Sequence, residues 1–234
     1  MRTVVLSLIA VLLLGQPVAG ADDSVRVIDE HSGVDPAAFP DIAAQAAREY
    51  EKLKAMFGTD VGVATVKLRP KCVARQTPPA AIVIPARLVN DGRVITAHEI
   101  THLLTQGWAS ALLKEGLAVY AQDRVGERKG WPNEGRNVHR VAFEAVTQSA
   151  ALVRTPEEAD KALSTSNAGQ ARLRRAAYDV AGSFVTWLID ERFRGELGQF
   201  MNTLYRSGNY AGATGADFAA LQREWREYVE RVIE

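Results

Sequence analysis

His98-Glu99-Ile100-Thr101-His102 and, beyond a break at Gly107, Leu113-Lys114-Glu115-Gly116-Leu117-Ala118-Val119-Tyr120 are the residues on which the fold turns. On a helix, residues four apart share a face, one turn from each other. The spacing of His98 and His102 therefore lets both imidazoles reach one metal ion. Glu99 is rotated by about 100° from His98 at 3.6 residues per turn. It can lean over a water on that metal without binding the metal itself. Two fixed nitrogen ligands and a carboxylate base beside an open coordination position are the physical content of a His-Glu-x-x-His motif.

Working outward, Val94, Ile95, Ile100, Leu103 and Leu104 supply apolar contacts that would hold this segment in a core. The pattern predicts one helix over 93–106, ending near Gly107, and a second over 108–123. A turn between them would bring the second helix back across the first. Glu115 on the second helix would then complete a two-His, one-Glu site with solvent in the fourth position. Spacing alone leaves Asp123, Glu127 and His139 open as the third ligand. An extended motif of the metzincin kind needs Gly at 105 and His at 108; Thr105 and Trp108 stand there, so that pattern fails.

The segment before the motif reads as a helix and a small sheet. Phe39, Ile42, Ala46, Tyr50 and Leu53 recur at three- and four-residue intervals, predicting a helix from Pro40–Asp41 to Met56 with Gly58 as its stop. Val61 to Leu68 alternates and predicts a strand, and the apolar run Ala81 to Ile84 predicts a second. That second strand is either a sheet edge able to pair with an extended ligand or an interior strand. After the loop marked by Gly126, Gly130, Pro132 and Gly135 the chain reads as helices over 138–153, 156–163, 170–193 and 216–233. Leu221, Trp225, Tyr228 and Val232 form the apolar stripe of the last one.

The first residues have a different character. Arg2, an apolar run from Thr3 to Leu14, and small residues at Ala19, Gly20 and Ala21 read as a secretory signal peptide, residues 1–21, cut near Ala21. The run is short of the roughly 20 apolar residues that span a bilayer. The protein is expected to be exported, periplasmic or secreted, with no membrane span after cleavage; an uncleaved anchor is the competing reading. The chain carries 28 basic and 28 acidic side chains. A charge so balanced gives no argument for nucleic acid or an anionic membrane as partner. A single cysteine, Cys72, cannot form an internal disulfide and is expected to be a buried apolar residue. His31 and His139 have no evident role.

The pairing of His98-Glu99-Ile100-Thr101-His102 with Leu113-Lys114-Glu115-Gly116-Leu117-Ala118-Val119-Tyr120 resembles the signature of gluzincin zinc metallopeptidases, in particular the bacterial peptidase-MA-like families. Their pattern is His-Glu-x-x-His, then Trp-Leu-x-Glu-Gly-x-Ala-x-Tyr; Leu112-Leu113 here replaces Trp-Leu. Tyr178 to Ile189 and Phe218 to Tyr228 are similar to their downstream helices, so the likeness covers most of the chain. The resemblance implies an α+β, mostly helical fold: a zincin (thermolysin-like) catalytic core with a small N-terminal sheet and a helical C-terminal half. The subdomains would be 22–125 and 126–234. It implies one Zn2+ held by His98, His102 and Glu115, with Glu99 as base and a peptide or protein as substrate. It also offers Tyr178 as donor to the developing oxyanion, against the alternative of a core tyrosine. Two other classes compete: a catalytically inactive zincin-fold binding protein of the cell envelope, and a helical exported protein in which the motif is accidental.

Overall fold

The four residues Ala81 to Ile84 carry no polar side chain on either face, and both faces are buried. Such a run suits the interior of a parallel sheet. In the computed structural model, which describes residues 18–19, 24–72, 75–77, 80–107, 109–128, 130–148, 151–165 and 168–233, this run is strand β5 (Ala81–Pro85). It lies between β3 (Ala64–Arg69) and β4 (Arg75–Thr77). The sheet is completed by β2 (Val25–Asp29) and the two-residue β1 (Val18–Ala19), in the order β1-β2-β3-β5-β4. Strands β2, β3 and β5 are parallel, with Val27 opposite Val66 and Val66 opposite Ile82; β1 and β4 run antiparallel to their neighbours. The sheet edge beside β5 is therefore β4, and the idea of Ala81 to Ile84 as a free edge is corrected.

Helix α1 (Phe39–Phe57) ends where expected. Gly58 adopts the left-handed conformation, φ 63°, and its N–H bonds Lys54 O. Only glycine takes this backbone without strain from a Cβ. The expected strand from Val61 begins three residues late, because Asp60 to Gly62 form a turn around the Tyr50 hydroxyl. That hydroxyl donates to Asp60 Oδ1 at 2.7 Å and accepts from Val61 N at 3.1 Å. A short helix α2 (Ala86–Asn90) follows β5. Next come α3 (Thr96–Leu104), shorter than expected at both ends, and α4 (Ala111–Val125), which starts later and ends later than expected.

The C-terminal half is helical: α5 (Val138–Thr147), α6 (Pro156–Thr165), α7 (Ala171–Trp187), α8 (Leu197–Phe200), α9 (Tyr210–Thr214) and α10 (Phe218–Ile233). Wider π-type turns follow α7 at Leu188–Arg192 and α8 at Met201–Tyr205. The expected single helix over 170–193 is thus α7 plus a π turn. The fold is α+β and mostly helical.

Two cores result. One packs α1 and α3 on the sheet through Tyr50, Leu53, Val66, Ile82, Ile84, Ile100 and Leu103. The other packs α4, α7 and α10 through Leu112, Leu113, Leu117, Phe184, Leu188 and Trp225. Helices α3 and α4 are in contact across the seam between them. Apart from Val18 and Ala19, the expected signal peptide lies outside the described residues, as does Trp108. No described helix is long and apolar enough to cross a membrane. Cys72 is half-buried rather than buried; desolvation raises its thiol pKa, opposed by Arg69, Arg75 and Arg87.

Candidate metal centre

The motif occupies α3, and its two imidazoles project from one face. Their ring centroids lie 5.0 Å apart with planes at 83°. The chain leaves α3 through Thr105, whose carbonyl accepts from the Tyr205 hydroxyl at 3.1 Å. It turns at Gly107, φ 158°, and re-enters helix at Ser110. The Ser110 hydroxyl caps α4 by accepting from Leu113 N at 3.3 Å. A second tie is Leu112 N to Asp160 Oδ1 at 2.7 Å. Helix α4 then recrosses α3 and brings Glu115 over the histidines.

Glu115 Oε2 lies 3.3 Å from His98 Nε2 and 3.3 Å from His102 Nε2. A charge-assisted N–H···O bond is shorter, about 2.7–2.9 Å. Bonds of 2.0–2.2 Å in a tetrahedron instead hold their ligand atoms about 3.3–3.5 Å apart. The donor atoms of all three residues lie within 4.8 Å of one another. Glu115 Oε2 and His98 Nδ1 are buried and make no hydrogen bond. A buried polar atom without a partner costs about 1–3 kcal/mol, and more when charged. A cation among these atoms would offset that cost for the carboxylate oxygen. The residues present fit a metal ion, and His98, His102 and Glu115 form the one such group among the described residues.

The three residues are also coupled electrostatically. Burial opposes ionisation of Glu115, but His102 and then His98 outweigh it and hold the carboxyl well below its ordinary range. Burial alone would lower the pKa of His102; Glu115 and then Glu99 outweigh it and raise it. Glu99 is 3 % exposed and stands beside the group without belonging to it. Desolvation raises its pKa against the pull of His98 and His102.

The other ligand possibilities are engaged elsewhere. Asp123 accepts from Asn133 Nδ2 at 3.3 Å. Glu127 pairs with Arg48 at 2.7 Å. His139 Nδ1 lies 2.9 Å from Ser183 Oγ.

Tyr178 does stand at the site. Its ring centroid is 6.0 Å from that of His98, and its hydroxyl accepts from Arg174 Nη2 at 3.1 Å. Burial, then Glu115, raises its pKa, so it remains a neutral O–H. Trp131 packs edge-on against Tyr178 at 5.7 Å, and the Arg175 guanidinium lies 4.8 Å over Trp131. Sequence reasoning missed Trp131 and Arg174. The signal available for Arg174 was its position one turn before Tyr178; for Trp131 there was none. No protein-family model matches the chain, and no curated protein matches it in sequence.

Proposed function

We propose that the protein is a zinc-dependent peptidase of the gluzincin type, exported from the cell, with a zincin core formed by the sheet, α3 and α4. The observation that carries this reading is the pair of 3.3 Å separations from Glu115 Oε2 to the two histidine nitrogens. They match ligands on a tetrahedral ion better than partners in a hydrogen bond. Two imidazoles and one carboxylate are a donor set that zinc favours when it keeps an open position.

When bound, zinc supplies a Lewis acid and a water of lowered pKa. His98, His102 and Glu115 would hold the ion, the two histidines one helical turn apart on a buried segment. Glu99 takes the proton of the attacking water and passes it to the leaving amine. The neutral Tyr178 hydroxyl donates to the carbonyl oxygen as negative charge develops there. An extended peptide adds to the outer edge of β4, the antiparallel strand packed beside α3.

The test is Glu99→Gln. The variant binds zinc as the wild type does, and hydrolysis of an unfolded protein substrate is lost. Full hydrolysis by that variant, or hydrolysis by the wild type that survives removal of zinc with a chelator, would refute the proposal.

A further inference from the structure

The first four N–H groups of an α-helix have no acceptor within the helix. His98 is the third residue of α3, and the residue before that helix, Ile95, offers no side-chain cap. The acceptor comes from the neighbouring helix instead. Gln122 Oε1 on α4 accepts from the backbone N–H of His98 at 2.9 Å. The same amide donates through Nε2 to the carbonyl of Arg128 at 2.8 Å. Gln122 is 3 % exposed, so neither bond has water as a ready substitute.

Gln122 follows Glu115 by seven residues, about two turns, so the two side chains leave α4 on one face about 10 Å apart along the axis. Both are aimed at α3: Glu115 at the imidazoles, Gln122 at the main chain of the first ligand. Gly126 leaves room for this amide, since a Cβ there would lie 2.1 Å from Gln122 Nε2. The chain of bonds then returns to α3. Arg128 Nε donates to Gln45 Oε1 at 2.9 Å, and Gln45 Nε2 donates to Thr96 Oγ1 at 3.0 Å. Thr96 opens α3, and its hydroxyl also donates to the buried carboxylate of Glu49.

We propose that Gln122 is a positioning residue of the metal centre: by clamping the His98 N–H it sets the register of α4 against α3, and with it the place of Glu115 over the two imidazoles. This rests on the metal reading above. Side chains that orient a ligand typically contribute about 10- to 100-fold to metal affinity.

The experiment measures zinc affinity by competition with a chromophoric chelator, and the visible spectrum of the cobalt-substituted protein. Gln122→Met keeps the length of the side chain but none of its bonds. Gln122→Asn keeps the amide but falls one methylene short. Gln122→Glu keeps an acceptor for the His98 N–H, but loses the donor to Arg128 and adds a buried negative charge facing that carbonyl oxygen. We expect zinc affinity to fall at least about 10-fold in the Met and Asn variants, with a changed cobalt spectrum, and to recover in part in the Glu variant. Should the Met variant fail to fold, the Asn and Glu pair decides. A folded Asn variant with wild-type affinity and an unchanged cobalt spectrum overturns the role of Gln122. Wild-type protein that binds neither ion overturns the metal reading itself, and the proposal with it.

Discussion

Gly116 on α4 lies so close to Ala181 on α7 that a Cβ would sit 2.5 Å from the Ala181 carbonyl oxygen and 2.4 Å from Val185 Cγ2. Across the same crossing, a Cβ at Gly182 would meet Val119 Cγ1 at 2.4 Å. Each helix thus presents a glycine to the other. That close approach brings Glu115, the residue before Gly116, and Tyr178, one turn before Gly182, to the side of His98.

Gly116→Ala should therefore disturb packing and metal binding together. Overpacking of this kind costs about 1–3 kcal/mol, here despite the better helix propensity of alanine. The denaturation midpoint should fall and zinc affinity with it. Gly198→Ala is the control, since a Cβ there meets nothing within 4 Å. Equal midpoints for wild type and Gly116→Ala would show that the crossing yields without penalty.

Zinc should stabilise the folded chain through Glu115. An ion that binds only the native state at 1,000 times its dissociation constant adds about 4 kcal/mol. Thermal unfolding should shift upward with zinc and return with chelator. In Glu115→Gln the neutral amide lacks the charge that faces the two imidazoles, and most of the shift should vanish at the same zinc concentration. A full shift in that variant would mean that the ion sits elsewhere.

The pairing of the two histidines was legible because helical spacing is local: four residues separate His98 from His102 whatever surrounds them. From spacing, Glu115 was one of several candidates in range, and the resemblance implied it; the return of α4 across α3 brings it to the histidines, while Asp123, Glu127 and His139 are engaged elsewhere. The run Ala81 to Ile84 announced a strand but not its neighbours, because pairing order is a property of the whole sheet. The outer strand β4, three residues long, has too little pattern to be read. The same holds for α8 and α9, which have four and five residues. Gln122 could not be found from sequence at all. Its partner is a main-chain N–H on another helix, and every residue but proline has one.

Acid should weaken the packing of α10 against α7. His139 Nδ1 lies 2.9 Å from Ser183 Oγ, which also accepts from Trp225 Nε1 at 3.0 Å. Burial, offset only in part by Asp123, lowers the His139 pKa from 6.5 to about 4. Between those values the unfolded chain takes up the proton first, so stability falls as pH falls from about 6.5 towards 4. At 1.36 kcal/mol per unit the loss approaches about 3 kcal/mol. His139→Gln should flatten urea midpoints across that window; an unchanged slope would remove His139 as its source.

Asp179 acts in the opposite direction. Burial, opposed by Arg175 and Arg136, raises its pKa from 3.8 to about 7, and its buried Oδ1 has no hydrogen-bond partner. The folded state therefore holds this proton more tightly than the unfolded chain. Its contribution is full below about pH 3.8 and is lost as pH rises through about 7. Asp179→Asn, uncharged at every pH, should be more stable relative to wild type at pH 8 than at pH 4, by at most about 4 kcal/mol. The same difference at both values would show that the carboxyl is ionised without penalty.

Tyr178→Phe separates chemistry from packing. The hydroxyl oxygen is the only heavy atom removed; the ring keeps its contacts with His98 and Trp131. Loss of the bond from Arg174, 3.1 Å in length, costs about 1 kcal/mol of stability or less. Loss of an oxyanion donor lowers kcat by about 100- to 1,000-fold. Because the hydroxyl is no ligand, zinc affinity should stay at the wild-type value. If the donor acts only as the carbonyl oxygen gains charge, kcat and kcat/KM should fall together and KM should hardly move. A Phe variant with wild-type kcat would make Tyr178 a core residue whose hydroxyl serves Arg174 alone.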